Sequence, residues 1–186
     1  MQIVLIITIA FIIAFGSGCA SPHPNKDKAV QLLSEIGETA QKSSKRLRSE
    51  EIRQTMVRLN ERKKKFPEGR NELMQDAKLV KDSFALSIEE DNLVIGKFEE
   101  LMKLGLVKSE AQCIENMVEL QRTVVERTKL VLEEMDLVFD QDIANSEVLE
   151  SRTLEIRAKG KEVENKTFQL ETAKATLCSK AILDIK

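Results

Sequence analysis

A heptad pattern of apolar residues between Ile114 and Val138 constrains the fold more than any other feature of this chain. A parallel row one position further on is also apolar, so the apolar face is wider than the seam of a two-stranded coiled coil. Such spacing predicts a long helix that packs against two or more partner helices. The first row consists of Ile114, Met117, Gln121, Val124, Thr128, Val131, Met135 and Val138, and the second of Val118, Val125, Leu132 and Phe139.

The rest of the chain carries three further helical patterns. The first spans 27–65, with a phase slip at Ser43 and Ser44 that is expected to bend or locally unwind it. The second, from Leu73 to Met102, is expected to stop near Gly105. The last follows a turn at 145–146 and places apolar residues at every seventh position from Leu149 to Leu177.

Together these patterns predict an all-α fold, an antiparallel up-down four-helix bundle of long helices after an N-terminal signal or anchor segment. The expected organisation is a signal peptide at 1–18, a tether at 19–28 and the bundle at 29–186. A chain with only 3 prolines and 7 glycines has few residues that interrupt helices, and it is long enough to bury one core.

The N-terminal segment has the features of an export signal. Residues 3–15 form a run of thirteen apolar or small residues interrupted only by Thr8, which is too short for a comfortable membrane span. Ser17, Gly18 and Cys19 follow, and with them the segment resembles the signal of a bacterial lipoprotein, in which the cysteine becomes lipid-modified. The resemblance implies lipidation at Cys19 and a membrane-anchored protein of the cell envelope, facing the periplasm or the cell surface.

Two other fates of this segment remain open. Cleavage after Ala20, with Gly18 and Ala20 as the small pair, gives a secreted protein, and an uncleaved segment gives an anchor. The residues that follow form a polar tether in which Pro22 and Pro24 favour an extended chain.

Cys113 and Cys178 are predicted to form a disulfide. Their midpoint falls on the predicted turn at 145–146, so an antiparallel hairpin brings both cysteines to the same height. A disulfide suits an exported protein. Two separate buried thiols are the alternative.

Two charged segments could bind a partner or neutralise one another. Residues 42–65 carry ten basic residues against three acids, and residues 133–150 carry seven acids and no basic residue. In an up-down bundle both segments lie at the same end, which favours mutual neutralisation. The alternative is a patch for an anionic partner, formed by Arg58, Arg62, Lys63, Lys64 and Lys65.

An apolar turn is expected at the opposite end, beside the tether. Leu104, Leu106 and Val107 form it, and they either cap the core or face a membrane.

Composition argues against several functions. The only histidine is His23, in the tether, so a metal site, a haem site and a histidine-dependent catalytic set are not expected. No glycine-rich phosphate loop occurs, and we therefore predict a protein that is not an enzyme, with no cofactor and no evident small-molecule substrate. A net charge of -2 and the absence of Trp and Tyr argue against a nucleic-acid partner.

The expected function is a non-catalytic binding or scaffolding module at the cell envelope, held to the membrane by its lipid and engaging an unidentified protein. Two alternatives belong to other classes. One is a secreted helical toxin or pore-forming component, and the other is a carrier that holds a small ligand in the bundle core.

Overall fold

The computed structural model describes residues 25–63, 70–106, 108–139 and 146–184, and in these ranges the protein is all-helical with no strand. Five helices form there: α1 (Lys26–Leu47), α2 (Glu50–Lys63), α3 (Arg70–Met102), α4 (Lys108–Phe139) and α5 (Ser146–Asp184). The three long helices α3, α4 and α5 match the second, third and fourth predicted helices. The predicted signal peptide, most of the tether and residues 140–145, which include Asn145 of the predicted turn, lie outside the described residues.

The prediction of one continuous helix over 27–65 is wrong, because Arg48 and Ser49 are not helical and separate α1 from α2. The backbone amide of Ser49 donates to the carbonyl of Arg46 at the end of α1. The Ser49 hydroxyl accepts a hydrogen bond from the backbone amide of Ile52 and so caps the start of α2. Ser43, where the slip was expected, stays inside α1 because its hydroxyl is used for packing against α3.

α1 and α2 run in the same direction, and both pack antiparallel on α3. Ion pairs record the direction for α1 and α2 on α3, since Lys28 pairs with Glu100 at 2.8 Å and Arg58 pairs with Asp76 at 3.0 Å. On the other side of α3 lies α4, and α5 packs on α4. α4 therefore lies between α3 and α5, as its wide apolar face requires.

The heptad face of α4 is fully buried only in its N-terminal half. Ile114 and Met117 are 3% and 5% exposed, whereas Val124 and Val131 further along the same row are half-buried. Val131 packs there against the smaller core group, which lies between α2 and α3. In the parallel row Val118 and Val125 are buried.

Two groups of buried side chains form the core. The larger lies toward the end that holds the α3–α4 turn and combines residues of α1, α3, α4 and α5, with Val94 fully buried. The smaller lies between α2 and α3, where Leu59, Leu73 and Val80 meet, and residues of α4 pack against it. Aliphatic burial of this kind is the main driving force for the fold.

The turn between α3 and α4 and the start of α1 lie together at one end. Gly105 has a φ of 78°, a conformation that favours glycine, and it ends α3 where expected. The side-chain amide of Asn25 donates to the carbonyl of Leu104 at 3.0 Å, which joins the beginning of α1 to this turn. Since α1 begins at Lys26, the last three residues of the predicted tether are helical.

Ile36→Ala tests the core assignment. Ile36 is 2% exposed in the larger core group, so we expect the substitution to lower the free energy of unfolding by about 2 to 5 kcal/mol. Val30→Ala is the matched control, because Val30 is 47% exposed on the same helix and its loss should cost less than about 0.5 kcal/mol. Urea unfolding followed by circular dichroism measures both, and equal losses would contradict the assignment.

Candidate binding surfaces and a buried polar layer

The cysteines of α4 and α5 meet as predicted. Cys113 and Cys178 form a disulfide with their Cα atoms 4.9 Å apart, and the two residues are 1% and 5% exposed. The bond fixes the register of α4 against α5 and is shielded from solvent on both sides. Cys19, the predicted lipidation site, lies outside the described residues.

Close to the disulfide lie two buried polar side chains that the sequence did not point out. Asn116 and Lys174 are each 8% exposed, one on α4 and the other on α5. Burial lowers the pKa of Lys174, partly offset by the charge of Glu171. The Oδ1 atom of Asn116 is buried with no hydrogen-bond partner among the described residues. Burial of these polar groups between α4 and α5 lowers the free energy of unfolding. The neighbouring disulfide counteracts this loss by holding the two helices together.

Arg58 is the one member of the predicted anionic-partner patch whose side chain is described, and it pairs with α3. Arg58 donates to both carboxylate oxygens of Asp76, at 3.2 and 3.0 Å, and also to the hydroxyl of Thr55. These bonds join α2 to α3, and the Arg58 side chain stays 42% exposed. The side chains of Arg62 and Lys63 and all of Lys64 and Lys65 lie outside the described part of the chain.

Within the described ranges the basic and acidic segments find other partners than each other. Arg46 pairs with Glu90 of α3. On the acidic side, Asp136 pairs with Lys81 and Glu134 with Arg157 at 3.4 Å. No ion pair joins the described parts of 42–65 and 133–150, because the basic residues pair with α3 and the acids pair with α3 and α5. The charges of each segment are therefore neutralised by residues of neighbouring helices.

The apolar turn packs on the core. Leu104 and Leu106 are half-buried and contact the larger core group, as the core-capping interpretation requires. Val107 lies outside the described residues. Because Leu104 and Leu106 are half-buried, only part of each side chain is open to contact with a membrane.

A chain of hydrogen bonds crosses the middle of the fold from α1 to α4. The hydroxyls of Ser43 and Ser87 lie 2.7 Å apart, and both residues are buried. Asp91 lies one helical turn from Ser87 and is 6% exposed, and hydrogen bonding to Ser87 and Gln121 acts to lower the pKa of its carboxyl. Burial raises the pKa of Asp91 to about 6, with the neighbouring charge of Glu90 adding to the shift and Arg46 opposing it.

A second polar pair continues this layer toward α5. The hydroxyl of Thr167 lies 3.2 Å from that of Thr123, and the two threonines are 6% and 0% exposed. Polar groups therefore separate the two core groups along the length of the fold. Buried and mutually hydrogen-bonded groups of this kind specify which helix heights face each other.

The sequence contains a signal for this layer. Phe84, Ser87, Asp91 and Val94 follow one another at helical spacing, so two polar residues occupy the apolar face of α3. The predicted face used Ile88 and Ile95 instead, and both are only half-buried. The fold buries the polar Ser87 and Asp91 more deeply than these two isoleucines.

Neither a metal site nor a membrane span is found in the described ranges. No three His, Cys, Asp or Glu side chains there are arranged to hold a metal ion, and none of the helices described is long and apolar enough to cross a bilayer. Comparison with protein-family models, with curated proteins and with solved structures finds no match to this chain.

Replacing both cysteines, Cys113→Ser with Cys178→Ser, should lower the free energy of unfolding. The bond closes a loop of 65 positions, for which the chain-entropy model gives roughly 4 kcal/mol. Urea unfolding with and without reductant measures the loss. The doubly substituted chain should not respond to reductant, and a wild-type chain whose unfolding midpoint is also insensitive to reductant would contradict the prediction.

Asp91→Asn should change how stability depends on pH. Because the folded chain holds the Asp91 proton more tightly than the unfolded chain, the free energy of unfolding should rise as pH falls from about 7 to about 4. The amide removes the cost of a buried charge, so the variant should gain about 3 kcal/mol at pH 7 and lose the pH dependence that this group contributes.

Asp82→Asn is the control for this experiment, since Asp82 is exposed on the same helix. Denaturation curves at several pH values compare the three chains. A variant at position 91 that is less stable than wild type at pH 7 would show that the ionised carboxylate stabilises the layer.

Proposed function

We propose that this protein is an exported, lipid-anchored helical scaffold that binds other protein at the cell envelope and does no catalysis. The observation that carries the proposal is the buried disulfide between Cys113 and Cys178. Disulfides form and persist in oxidising compartments and are rare in the cytosol. This bond supports export by an argument independent of the N-terminal segment.

The N-terminal residues supply the second line of support. The apolar run at 3–15 and Cys19 resemble a bacterial lipoprotein signal, and α1 begins only a few residues later. A short tether between a lipidated cysteine and α1 would hold the helices close to the bilayer. The end that carries Asn25 and the α3–α4 turn would then be the membrane-proximal end.

In the proposed architecture α1 and α2 together act as the first member of an antiparallel up-down four-helix bundle. The order of packing and the antiparallel ion pairs support this arrangement. Binding would use the outer faces, because the apolar side chains of the inner faces are taken up by neighbouring helices.

Intact-mass measurement of the chain made in a bacterial host tests the anchor. We expect a mature protein that begins at Cys19 and carries a diacyl or triacyl addition, and that sediments with membranes. Cys19→Ala is the matched control and should abolish both the acyl mass and the membrane fraction. A mature wild-type chain that begins after Ala20 would overturn the lipid anchor and leave a secreted protein.

A further inference from the structure

The last two turns of α1, residues 40–47, lie over the buried carboxyl group of Asp91 and end at the break between α1 and α2. We propose that these turns are a proton-controlled latch, which stays closed on α3 while Asp91 is protonated and opens locally when Asp91 loses its proton. Its biological use rests on the proposed export, because an exported protein meets the pH of its surroundings. The latch itself does not depend on acylation of Cys19.

The closed latch leaves the Asp91 carboxyl group little access to water. Asp91 is 6% exposed and lies one turn along α3 from Ser87, whose hydroxyl is 2.7 Å from that of Ser43 in the latch. The only apolar residues of the latch are Ala40, which packs against the larger core group, and Leu47, which packs against the smaller. Polar contacts can be exchanged for contacts with water, so these turns can open at a lower free energy than an apolar helix face.

The charges around Asp91 do not offset the cost of its ionisation in the closed state. Glu90, the preceding residue of α3, opposes ionisation, and the charge of Arg46 favours it. The Nη2 atom of Arg46 pairs with Glu90, and its Nη1 atom is buried with no hydrogen-bond partner among the described residues. Lys42 of the latch lies 3.6 Å from the Glu90 carboxylate, and α4 contributes the neutral Gln121. Burial outweighs the favourable effects and raises the pKa of Asp91 to about 6.

Ionisation of Asp91 therefore favours the open latch. A hydrated aspartate has its ordinary pKa of 3.8, so the open state releases the proton at a lower pH than the closed state does. The population of the open state relative to the closed state should rise about tenfold from pH 5 to pH 7.5. Glu35 and Glu100 also pair α1 with α3, but bonds from lysines lower the pKa of each, so both are largely ionised across this range.

Opening at this point requires little movement elsewhere. Arg48 and Ser49 are not helical, so they can take up a change in backbone direction. The first half of α1 stays in place, because Leu33 and Ile36 lie in the larger core group. On the other side of Asp91, α4 is joined to α5 by the buried disulfide. The motion is therefore confined to residues 40–49.

Amide hydrogen exchange at pH 5 and pH 7.5 measures the opening, on the full chain as the bacterial host processes it, in detergent. After correction for the intrinsic pH dependence of exchange, we expect residues 43–49 to lose protection about tenfold at the higher pH. At both pH values they should exchange faster than residues 32–36 of the same helix, because the latch opens without global unfolding.

Three variants assign the response to Asp91. Asp91→Asn removes the titrating group, so the difference between the two pH values should disappear. Asp82→Asn makes the same chemical change at an exposed position of α3 and should keep the wild-type difference. Arg46→Gln removes the cation that favours ionised Asp91, so the difference should exceed that of wild type. Loss of the pair with Glu90 should also speed exchange in this variant at both pH values.

Four results would overturn the latch. The first is protection at residues 43–49 that does not change between pH 5 and pH 7.5, and the second is an Asp91→Asn chain that keeps the wild-type difference. The third is an Arg46→Gln chain with a smaller difference than wild type. The fourth is exchange at 43–49 no faster than at 32–36, which would show that exchange needs global unfolding. Acylation of Cys19 is read from intact mass and is unaffected by any of these results.

Discussion

The whole structure depends on burying the wide apolar side of α4. A helix with apolar residues on two adjacent rows cannot be covered by a single neighbour. α3 takes the side that carries Val118 and Val125, and α5 takes the side that carries Cys113 and Thr123, which places α4 in the middle. All other helices are positioned relative to this one, since α1 and α2 reach the core by packing on α3.

Two sets of interactions fix the register of these helices along one another. The covalent one is the Cys113–Cys178 bond, which pins α4 to α5 near the end that also holds Asn25 and the α3–α4 turn. The other is the polar layer in the middle, where Ser43, Ser87 and Asp91 connect α1 to α3. Aliphatic side chains tolerate a slide by one helical turn, whereas a buried carboxylate that loses its donors does not. The raised pKa of Asp91 is the cost of that specificity at neutral pH.

The same arrangement leaves its unused apolar surface at the edges. Leu86 and Leu93 on α3, and Leu154 and Phe168 on α5, are exposed. Exposed valines elsewhere, such as Val30 and Val57, stand singly and need no partner.

The sequence by itself determined the all-helical class, the positions of the three long helices and the disulfide. These follow from local periodicity and from the symmetry of an antiparallel hairpin about its turn, which need no knowledge of other contacts. Tertiary structure alone decided the rest. Only the tertiary structure shows that the first predicted helix is interrupted at Arg48 and Ser49. It also shows that Arg58 pairs with Asp76 and that Asp91 is buried. These features depend on which helix packs against each face of its neighbour, and the periodicity of one helix does not specify which helix that is.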